Sequence, residues 1–379
     1  MNPEEFLIRA EVQGMRRRLK AVTHNSPATC IIDGKEHIDF SSNNYLALAA
    51  HPLLAEESVR WTKLFGTGST ASRLVSGTFP EYLKLEEKIA AWKGTESALI
   101  IGSGYMANIG VLSALSASRN SVIFADKLNH ASLNAGATLA LGQFKRYPHL
   151  DTEKLEFLLT QDDNEKIIVS DTVFSMDGDI CDVEKLKYLS EQYNALLYLD
   201  DAHATGIFGK SGEGLAGQSA DIAMGTFSKA MGSYGAYIAC TQAMRDYLIN
   251  KCGSFIYSTA LPPGVYGAIS AAVDLIQSDE YNEKRRILSE KSLYLRTELK
   301  KLGFNTGNTA TPIIPIIFGE INKTMQVSEY LMKNGIFAVP IRPPTVPPGT
   351  ARLRVSLNTD HTYSQINKLL ELLSQAVKK

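Results

Sequence analysis

Four polar side chains stand just after short apolar runs that have the composition of buried strands. Asp200 and His203 follow one such run, and Thr226 and Lys229 follow the next. Ligands of open α/β sheets bind beyond the carboxyl ends of the strands, so these side chains are expected to meet at one site. There, a lysine amine can form an imine with an aldehyde, a carboxylate can keep a pyridine nitrogen protonated, and a hydroxyl can bind a phosphate. Pyridoxal 5'-phosphate (PLP) requires all three groups, so the sequence predicts a PLP enzyme with its imine on Lys229.

Each of these residues also has an ordinary structural interpretation. An aspartate at a strand end often caps a helix, a lysine is usually a solvated charge, and a histidine can be a core residue. The combination favours chemistry, because further strand ends also carry suitable side chains. His130 follows the run Val122–Ala125, and Ser175 follows Lys166–Ser170. Ser175 and Thr226 carry hydroxyls suited to the PLP phosphate or the ring oxygen.

A glycine-rich turn supports a competing prediction. Gly102–Ala107 reads G-S-G-Y-M-A, which matches the dinucleotide-binding pattern G-x-G-x-x-A, and Asp126 stands at the end of the next strand candidate. These features would suit an NAD-dependent dehydrogenase. A turn of this kind, however, offers backbone N–H groups to any phosphate, including that of PLP. Because a dehydrogenase would leave Asp200 and Lys229 without a role, it is the less favoured alternative.

The apolar runs and the segments between them predict an α/β fold. Runs this apolar, separated by segments of helical length and period, are typical of a parallel sheet covered on both faces. Composition changes after Pro262, where two long helices and then a smaller α+β region are expected. We therefore predict an N-terminal helix and arm at residues 1–45, a large PLP-binding α/β domain at 46–265 and a small C-terminal α+β domain at 266–379. The strand candidates are Ala98–Ile101, Val122–Ala125, Lys166–Ser170, Leu196–Leu199, Ile222–Gly225, Ala236–Cys240, Ile313–Phe318 and Arg352–Leu357.

Composition excludes several classes of function. The net charge of the 379 residues is -1, so no bulk charge attracts nucleic acid or anionic lipid. The four cysteines are scattered, so neither a disulfide framework nor a metal site is expected. The N-terminus has early acidic residues and no apolar stretch, and the uncharged stretches Ser97–Ser118 and Gly253–Val273 are interrupted by glycine, proline or polar residues. We expect a soluble cytoplasmic protein with no membrane or nucleic-acid partner.

Ordered motifs along nearly the whole chain carry a resemblance to a known family. They are F-S-S-N-N-Y-L-A-L at Phe40–Leu48, G-S-G-Y at Gly102–Tyr105, D-K-L-N-H-A-S at Asp126–Ser132, F-S-M-D-G-D at Phe174–Asp179, D-D-A-H-A-T-G at Asp200–Gly206, T-F-S-K-A-M-G at Thr226–Gly232 and I-Y-S-T-A-L-P-P at Ile256–Pro263. With them the chain resembles the α-oxoamine synthases, PLP enzymes of fold type I that join an amino acid to an acyl thioester and release CO2. The resemblance implies a large, mainly parallel-sheet domain, a smaller α+β C-terminal domain, and a homodimer with its sites at the subunit interface.

The resemblance also implies roles for individual residues. Lys229 would carry the imine and act as the base at the substrate Cα, and Asp200 would face the pyridinium nitrogen. His203 would bond to the ring oxygen, and His130 would stack on the ring. Either histidine could polarise the acyl carbonyl. The other positions implied to bind the cofactor are Gly104, Tyr105, Ser175, Thr226 and, lent by the neighbouring chain, Ser258 and Thr259.

A C-terminal strand candidate predicts a carboxylate-binding group. Strand alternation places Arg352, Arg354 and Ser356 on one face. A guanidinium there could bind a substrate carboxylate through two hydrogen bonds. The alternative is an ordinary charge on an edge strand.

The same region resembles one branch of the family. Arg342–Arg354 reads R-P-P-T-V-P-P-G-T-A-R-L-R, as in members that condense L-alanine with a pimeloyl thioester of CoA or acyl carrier protein in biotin biosynthesis. Glycine-using relatives, such as glycine C-acetyltransferases, are the alternative. The resemblance assigns the amino-acid carboxylate to Arg354 and the distal end of the acyl chain to Arg16. The substrate-contacting positions it implies are Arg16, Asn43, His130, Thr345 and Arg354.

Overall fold

The structure is a computed structural model that describes residues 2–12 and 15–378. The described chain forms two compact units. The first contains the residues up to Ala47, the segment Met176–Asp179 and the residues from Arg286 onward, and the second contains Leu48–Ser175 and Ile180–Arg285. The predicted domains, which divide the chain at residues 45 and 265, stay a prediction.

All eight strand candidates coincide with strands of the structure, and the described residues form six further strands. The strands are β1 (Thr23–Ser26), β2 (Thr29–Ile32), β3 (Lys35–Asp39), β4 (Ser97–Ile101), β5 (Ser121–Asp126), β6 (Gln143–Tyr147), β7 (Glu165–Asp171), β8 (Ala195–Asp200), β9 (Ile222–Thr226), β10 (Ala236–Cys240), β11 (Ile313–Gly319), β12 (Ile336–Phe337), β13 (Val339–Ile341) and β14 (Ala351–Ser356). The α-helices are α1 (Pro3–Val12), α2 (Pro52–Phe65), α3 (Pro80–Lys93), α4 (Gly104–Leu115), α5 (Ala131–Leu139), α6 (Thr152–Thr160), α7 (Val183–Gln192), α8 (Gln242–Lys251), α9 (Gly253–Ile256), α10 (Pro263–Ile276), α11 (Asp279–Lys301), α12 (Ile321–Lys333) and α13 (Tyr363–Lys378).

The second unit is built on a seven-stranded sheet in the order β4-β10-β9-β8-β7-β5-β6. The strands from β9 to β6 pair in parallel, whereas β10 runs antiparallel to both of its neighbours. Every residue of β4, β5, β9 and β10 is buried. Near-continuous apolar strands are expected where helices cover both faces of a sheet. The predicted α/β class and mainly parallel sheet are therefore confirmed.

Several helices of this unit begin at a side-chain cap. Ser103, Asp151, Asp182 and Thr241 each accept a hydrogen bond from the backbone N–H three residues later, at the start of α4, α6, α7 and α8. Such caps satisfy N–H groups that have no partner within the helix. They fix the points at which the chain leaves the carboxyl ends of the strands and turns back over the sheet.

The first unit contains two smaller sheets. One has the order β1-β2-β3-β12, and the other is antiparallel in the order β11-β14-β13. Because β14 lies in the middle of its sheet, the edge-strand alternative for Arg352 and Arg354 is wrong. All six residues of β14 are buried. In the described part of the chain, no helix is both long and apolar enough to cross a membrane.

Candidate active site

A cavity of about 190 Å³ opens at the carboxyl ends of β5, β7, β8 and β9. It collects most of the side chains that strand-end reasoning singled out. The residues lining it are Ser103, Gly104, Tyr105, Asn108, His130, Ser132, Asp171, Asp200, Ala202, His203, Met224, Thr226, Ser228 and Lys229. The four residues on which the PLP prediction was founded, Asp200, His203, Thr226 and Lys229, thus face one space.

Asp200 lies at the end of β8 and is almost completely buried, with 2% of its surface exposed. Its Oδ1 accepts a hydrogen bond from the Ala202 backbone N–H at 2.8 Å, and its Oδ2 accepts one from Asn108 Nδ2 at 2.8 Å. Charged acceptors form short, strong hydrogen bonds. These two bonds fix the carboxylate in one orientation at the cavity wall, as a partner for a pyridinium nitrogen requires.

The other end of the cavity has the features of a phosphate site. Helix α4 begins at Gly104, so its first backbone N–H groups lie at the cavity, where the helix dipole favours an anion. The Thr226 hydroxyl is buried and has no hydrogen-bond partner within the described chain. A Cβ on Gly104 would lie 2.6 Å from Thr226 Cγ2, so glycine keeps this space open. A buried hydroxyl without a partner is costly, and a phosphate oxygen would satisfy it.

His130 is placed by the N-terminus of α5. Its Nδ1 accepts the backbone N–H of Ser132 at 3.3 Å, and its backbone N–H donates to Asp171 Oδ2 at 2.7 Å. By its accessible surface His130 is exposed, and it lines the cavity, while nearby protein atoms partly desolvate the imidazole. This partial desolvation lowers the pKa of His130 and Lys229 lowers it further, whereas Asp200 raises it.

Sequence reasoning missed three buried polar residues of the site, which are Asn108, Ser132 and Asp171. Asn108 lies in the apolar helix α4, where a buried amide is unusual and indicates a specific hydrogen-bonding role. Asp171 pairs with Asp200 in the register of β7 and β8. Burial raises the pKa of Asp171 well above its usual range, and the Asp200 charge adds to this shift. This raised pKa depends on the strand register that brings Asp171 beside Asp200, which a single strand-end residue does not reveal.

In the first unit, Arg354 belongs to a buried polar cluster. Its Nη1 donates to Ser356 Oγ at 2.7 Å, and its Nη2 donates to Tyr45 OH at 3.3 Å. Tyr45 OH in turn donates to Asn43 Oδ1 at 3.2 Å. Arg352 instead forms an ion pair with Asp177. The structure therefore brings Asn43 and Arg354 together and gives Arg352 a separate partner.

The N-terminal arginines lie beside an open cavity of about 570 Å³ in the same unit. Arg16 forms an ion pair with Glu11 at 3.1 Å, while Arg17 donates to Thr345 Oγ1 at 3.1 Å. Thr345 thus contacts the second arginine of the run rather than the first. The residues lining this cavity are Phe6, Leu7, Arg9, Ala10, Met15, Arg16, Arg17 and Pro344.

Three predicted cofactor positions are not among the described residues that line the cavity around Lys229. Ser258 and Thr259 line a small separate cleft beside Gly102 and Arg73. Ser175 is partly exposed, four residues beyond the end of β7. The roles predicted for Ser258 and Thr259 require a second chain. Their positions within one chain do not test those roles, which stay predictions.

The dinucleotide alternative fails on the strand order. In a dinucleotide-binding unit the strand before the glycine turn and the strand bearing the acidic residue are close neighbours. Here β4 and β5 are separated by β10, β9, β8 and β7. Asp126 accepts hydrogen bonds from the backbone N–H groups of Leu128 and Leu150 and lies 2.9 Å from His149 Nδ1. Its carboxylate is therefore used by its own loop and by the loop that follows the neighbouring strand β6.

This sheet order, with a lysine, a fixed carboxylate and a phosphate cradle at the strand ends, defines a fold type I PLP-dependent enzyme. The aminotransferase class I and II family matches residues 35–373. An 8-amino-7-oxononanoate synthase from Trichlorobacter lovleyi is 45% identical over 377 residues, covering 97% of this chain and 96% of that protein. A serine palmitoyltransferase from S. paucimobilis, solved with bound PLP-myriocin aldimine, has a TM-score of 0.92 at 26% identity, covering 99% and 96% of the two chains. The 8-amino-7-oxononanoate synthase of Francisella tularensis has a TM-score of 0.79 at 29% identity, covering 90% and 98%.

The chain belongs to the aminotransferase class I and II family and, within it, to the α-oxoamine synthases. The family resemblance, the fold type I architecture and the class of PLP-dependent acyltransferase, all predicted from the sequence, are confirmed. PLP is the cofactor of this family.

Proposed function

We propose that this protein condenses L-alanine with a pimeloyl thioester, of CoA or an acyl carrier protein, to give 8-amino-7-oxononanoate, CO2 and the free thiol. The proposal rests on Lys229 and Asp200 lining one cavity in a chain that is 45% identical to an 8-amino-7-oxononanoate synthase over 97% of its length. The step belongs to biotin biosynthesis, and the enzyme works as a cytoplasmic homodimer.

The residues of the cavity would hold PLP at three points. Asp200 would pair with the pyridinium nitrogen, His203 would bond to the ring oxygen, and Thr226 would bond to the phosphate beside the first N–H groups of α4. When bound, PLP supplies an electron sink for the bonds at the amino-acid Cα. The other positions predicted to contact the cofactor are His130, Ser175, the backbone of Gly104 and Tyr105, and Ser258 and Thr259 of the neighbouring chain.

Lys229 is the base of the proposed reaction. Its amine takes the proton from the Cα of alanine, and that Cα then forms a bond to the acyl carbon while the carbon–sulfur bond of the thioester breaks. The Cα–carboxylate bond breaks next and releases CO2, after which a proton returns to Cα. Because the carboxylate leaves as CO2, the residue that orients the Cα–carboxylate bond influences the rate of this cleavage.

Arg354 is the residue proposed to orient the alanine carboxylate, with Asn43 in the same buried cluster. Its guanidinium is held by Ser356 and Tyr45 and is 6% exposed. A planar guanidinium binds a carboxylate with defined geometry, which a lysine amine does not provide.

The acyl chain is assigned to the cavity beside Arg16 and Arg17. Apolar side chains such as Phe6, Leu7 and Met15 line it, and the arginines supply positive charge. A pimeloyl chain has the matching character, with methylene groups ending in a polar carboxyl or ester. Thr345, which accepts a hydrogen bond from Arg17, would hold this end of the site in place.

The substrate assignment is tested with a matrix of amino acids and thioesters. Alanine, glycine and serine are each combined with pimeloyl, acetyl and succinyl thioesters, and release of thiol and CO2 is followed. Alanine with the pimeloyl thioester is expected to be fastest. Faster turnover of glycine with the acetyl thioester would replace the proposal with the glycine C-acetyltransferase alternative.

The role of Lys229 is tested by spectroscopy as well as turnover. The wild type with PLP is expected to show a visible absorption band that borohydride bleaches, and Lys229→Ala is expected to lack both this band and turnover. Lys251→Ala, which removes an exposed lysine of α8, is the matched control. A wild type that takes up no PLP would overturn the proposal.

The shared dimer site is tested by mixing two inactive variants. Lys229→Ala is combined with a Ser258→Ala, Thr259→Ala double variant under conditions that allow subunits to exchange. If Ser258 and Thr259 serve the neighbouring chain, each mixed dimer regains one complete site, and activity is expected to approach about a quarter of the wild-type value. Activity that stays at the sum of the two variants would show that these residues serve their own chain.

A further inference from the structure

A chain of buried hydrogen bonds connects Asp200 to His130. Asn108 Nδ2 lies 2.8 Å from Asp200 Oδ2 and 2.8 Å from Ser132 Oγ. The hydroxyl of Tyr198 lies 2.6 Å from Asn108 Oδ1. Ser132 Oγ lies 2.7 Å from His130 Nδ1. Asn108, Ser132 and Tyr198 are each at most 1% exposed, so the three side chains between Asp200 and His130 are buried.

The direction of each hydrogen bond follows from Asp200. Carboxylate oxygens accept hydrogen bonds, and the amide of Asn108 turns its NH2 group towards Asp200 Oδ2. The reverse orientation would place two acceptor oxygens 2.8 Å apart. With the amide in this orientation, Tyr198 donates to Asn108 Oδ1, and the second N–H of Asn108 donates to Ser132 Oγ.

The contacts of Ser132 show that the ring of His130 accepts at Nδ1. Since Ser132 Oγ accepts from Asn108, its own hydrogen is available for His130 Nδ1 at 2.7 Å. The backbone N–H of Ser132, which can only donate, lies 3.3 Å from the same nitrogen. Two independent donors at Nδ1 leave the single proton of a neutral imidazole on Nε2.

We propose that Asn108 and Ser132 are positioning residues that hold His130 as the neutral Nε2–H tautomer, which donates a hydrogen bond to the acyl carbonyl oxygen. The inference rests on the proposed function and deepens it, because it selects His130 over His203 as the group that polarises the acyl carbonyl. Partial burial and the charge of Lys229 both lower the pKa of His130, which favours the neutral ring, while Asp200 opposes them. The backbone N–H of Ser132 thus decides which ring nitrogen of His130 accepts, and the Ser132 hydroxyl, held by Asn108, acts on the same nitrogen.

The tautomer is tested by NMR on PLP-loaded protein without substrate. Protein labelled with 15N-histidine is compared with His130→Gln, which assigns the His130 signals. The wild type is expected to carry its proton on Nε2 near neutral pH, with the shift of a hydrogen-bonded acceptor at Nδ1. Loss of the hydroxyl bond in Ser132→Ala is expected to weaken this preference about fivefold. A proton on Nδ1 in the wild type, or unchanged His130 signals in Ser132→Ala, would overturn the inference.

Two partial reactions separate the roles of the positioning residues. Exchange of the alanine Cα proton with deuterated water depends on Lys229 and Asp200, whereas thiol release also requires attack on the acyl carbonyl. Ser132→Ala is expected to slow thiol release about fivefold and leave exchange unchanged, because Asp200 keeps its bond from Asn108. Asn108→Ala is expected to slow both. Ser113→Ala, which removes a hydroxyl bonded to a backbone carbonyl within α4, is the control that changes neither.

The outcomes distinguish this inference from the proposed function. A wild type that exchanges no alanine proton would refute the assignment of alanine, while the NMR result on the substrate-free enzyme would still decide the tautomer. Equal losses of exchange and thiol release in Ser132→Ala would show that Ser132 acts on Asp200, and would overturn its proposed role at His130.

Discussion

A buried histidine in the first unit should make this protein sensitive to acid. His361 is fully buried and stacks on Phe40, with ring centroids 4.5 Å apart and planes 9° apart. Its Nδ1 accepts the backbone N–H of Asn358 at 3.0 Å, and its Nε2 lies 3.0 Å from the carbonyl oxygen of Asp39. The ring is therefore neutral, with its proton on Nε2. Burial lowers the pKa of His361 from 6.5 to about 4.

The magnitude of this effect follows from the two pKa values. A histidine in the unfolded chain titrates near 6.5, and the folded value is about 4, so the difference of about 2.5 corresponds to about 3 kcal/mol. Because the folded pKa is the lower one, the unfolded chain binds the proton first as the pH falls. The stabilisation is complete above pH 6.5, declines as the pH falls through the window between 6.5 and 4, and is absent below it.

The test compares the wild type with His361→Gln, which cannot titrate in this range. Urea unfolding is followed at several pH values between 4 and 8. We expect the free-energy advantage of the wild type over the variant to shrink by up to about 3 kcal/mol between pH 7.5 and pH 4. His51→Asn is the control, because it removes another histidine while keeping a good cap for α2. Parallel pH profiles for wild type and His361→Gln would refute the reasoning.

His361 is also linked to the buried polar cluster that contains Arg354. Phe40 accepts a backbone hydrogen bond from Ser356 at 2.7 Å, and Tyr45 accepts one from Thr359 at 3.0 Å. These bonds hold the segment that carries Tyr45 against β14, which carries Arg354. Acid that protonates His361 should therefore raise the KM for the amino acid before the protein unfolds.

Three further predictions concern single side chains. Gly104→Ala would place a Cβ 2.6 Å from Thr226 Cγ2, so it should weaken PLP binding by about 1–3 kcal/mol in an absorbance titration. Gly68→Ala is the control, because its added Cβ would meet no atom within 4 Å and should leave PLP binding unchanged. Asp171→Asn removes a carboxyl group, and burial raises the pKa of that group in the folded protein. The wild type should therefore lose stability relative to this variant as the pH rises above about 4. Equal shifts of Tm for the two proteins between pH 5 and pH 8 would contradict this. Arg354→Lys should raise the KM for alanine in the proton-exchange assay by about tenfold through loss of a charge-assisted hydrogen bond, and an unchanged KM would remove Arg354 from the carboxylate site.

The sequence by itself determined the chemistry of the site and the elements that carry it. Lys229 and Asp200 were predictable because PLP chemistry needs an amine and a carboxylate, and both follow apolar runs at strand ends. Predicted strands such as Ile222–Gly225 and Ala236–Cys240 match β9 and β10 within one residue at each end. These strand predictions succeed because hydrophobic periodicity is a local property of the chain.

The tertiary structure alone decided which of these elements meet. The sequence did not show that β10 runs antiparallel between β4 and β9, which separates the glycine turn from Asp126 and removes the dinucleotide alternative. Nor did it show that Asn108 lies within hydrogen-bonding distance of Asp200, 92 residues further along the chain. Such contacts depend on strand order and register between distant segments, and the orientation of a buried amide or imidazole depends on every donor and acceptor around it. The sequence therefore supplied the candidate groups of the site, and packing between distant segments set their positions and hydrogen-bond partners.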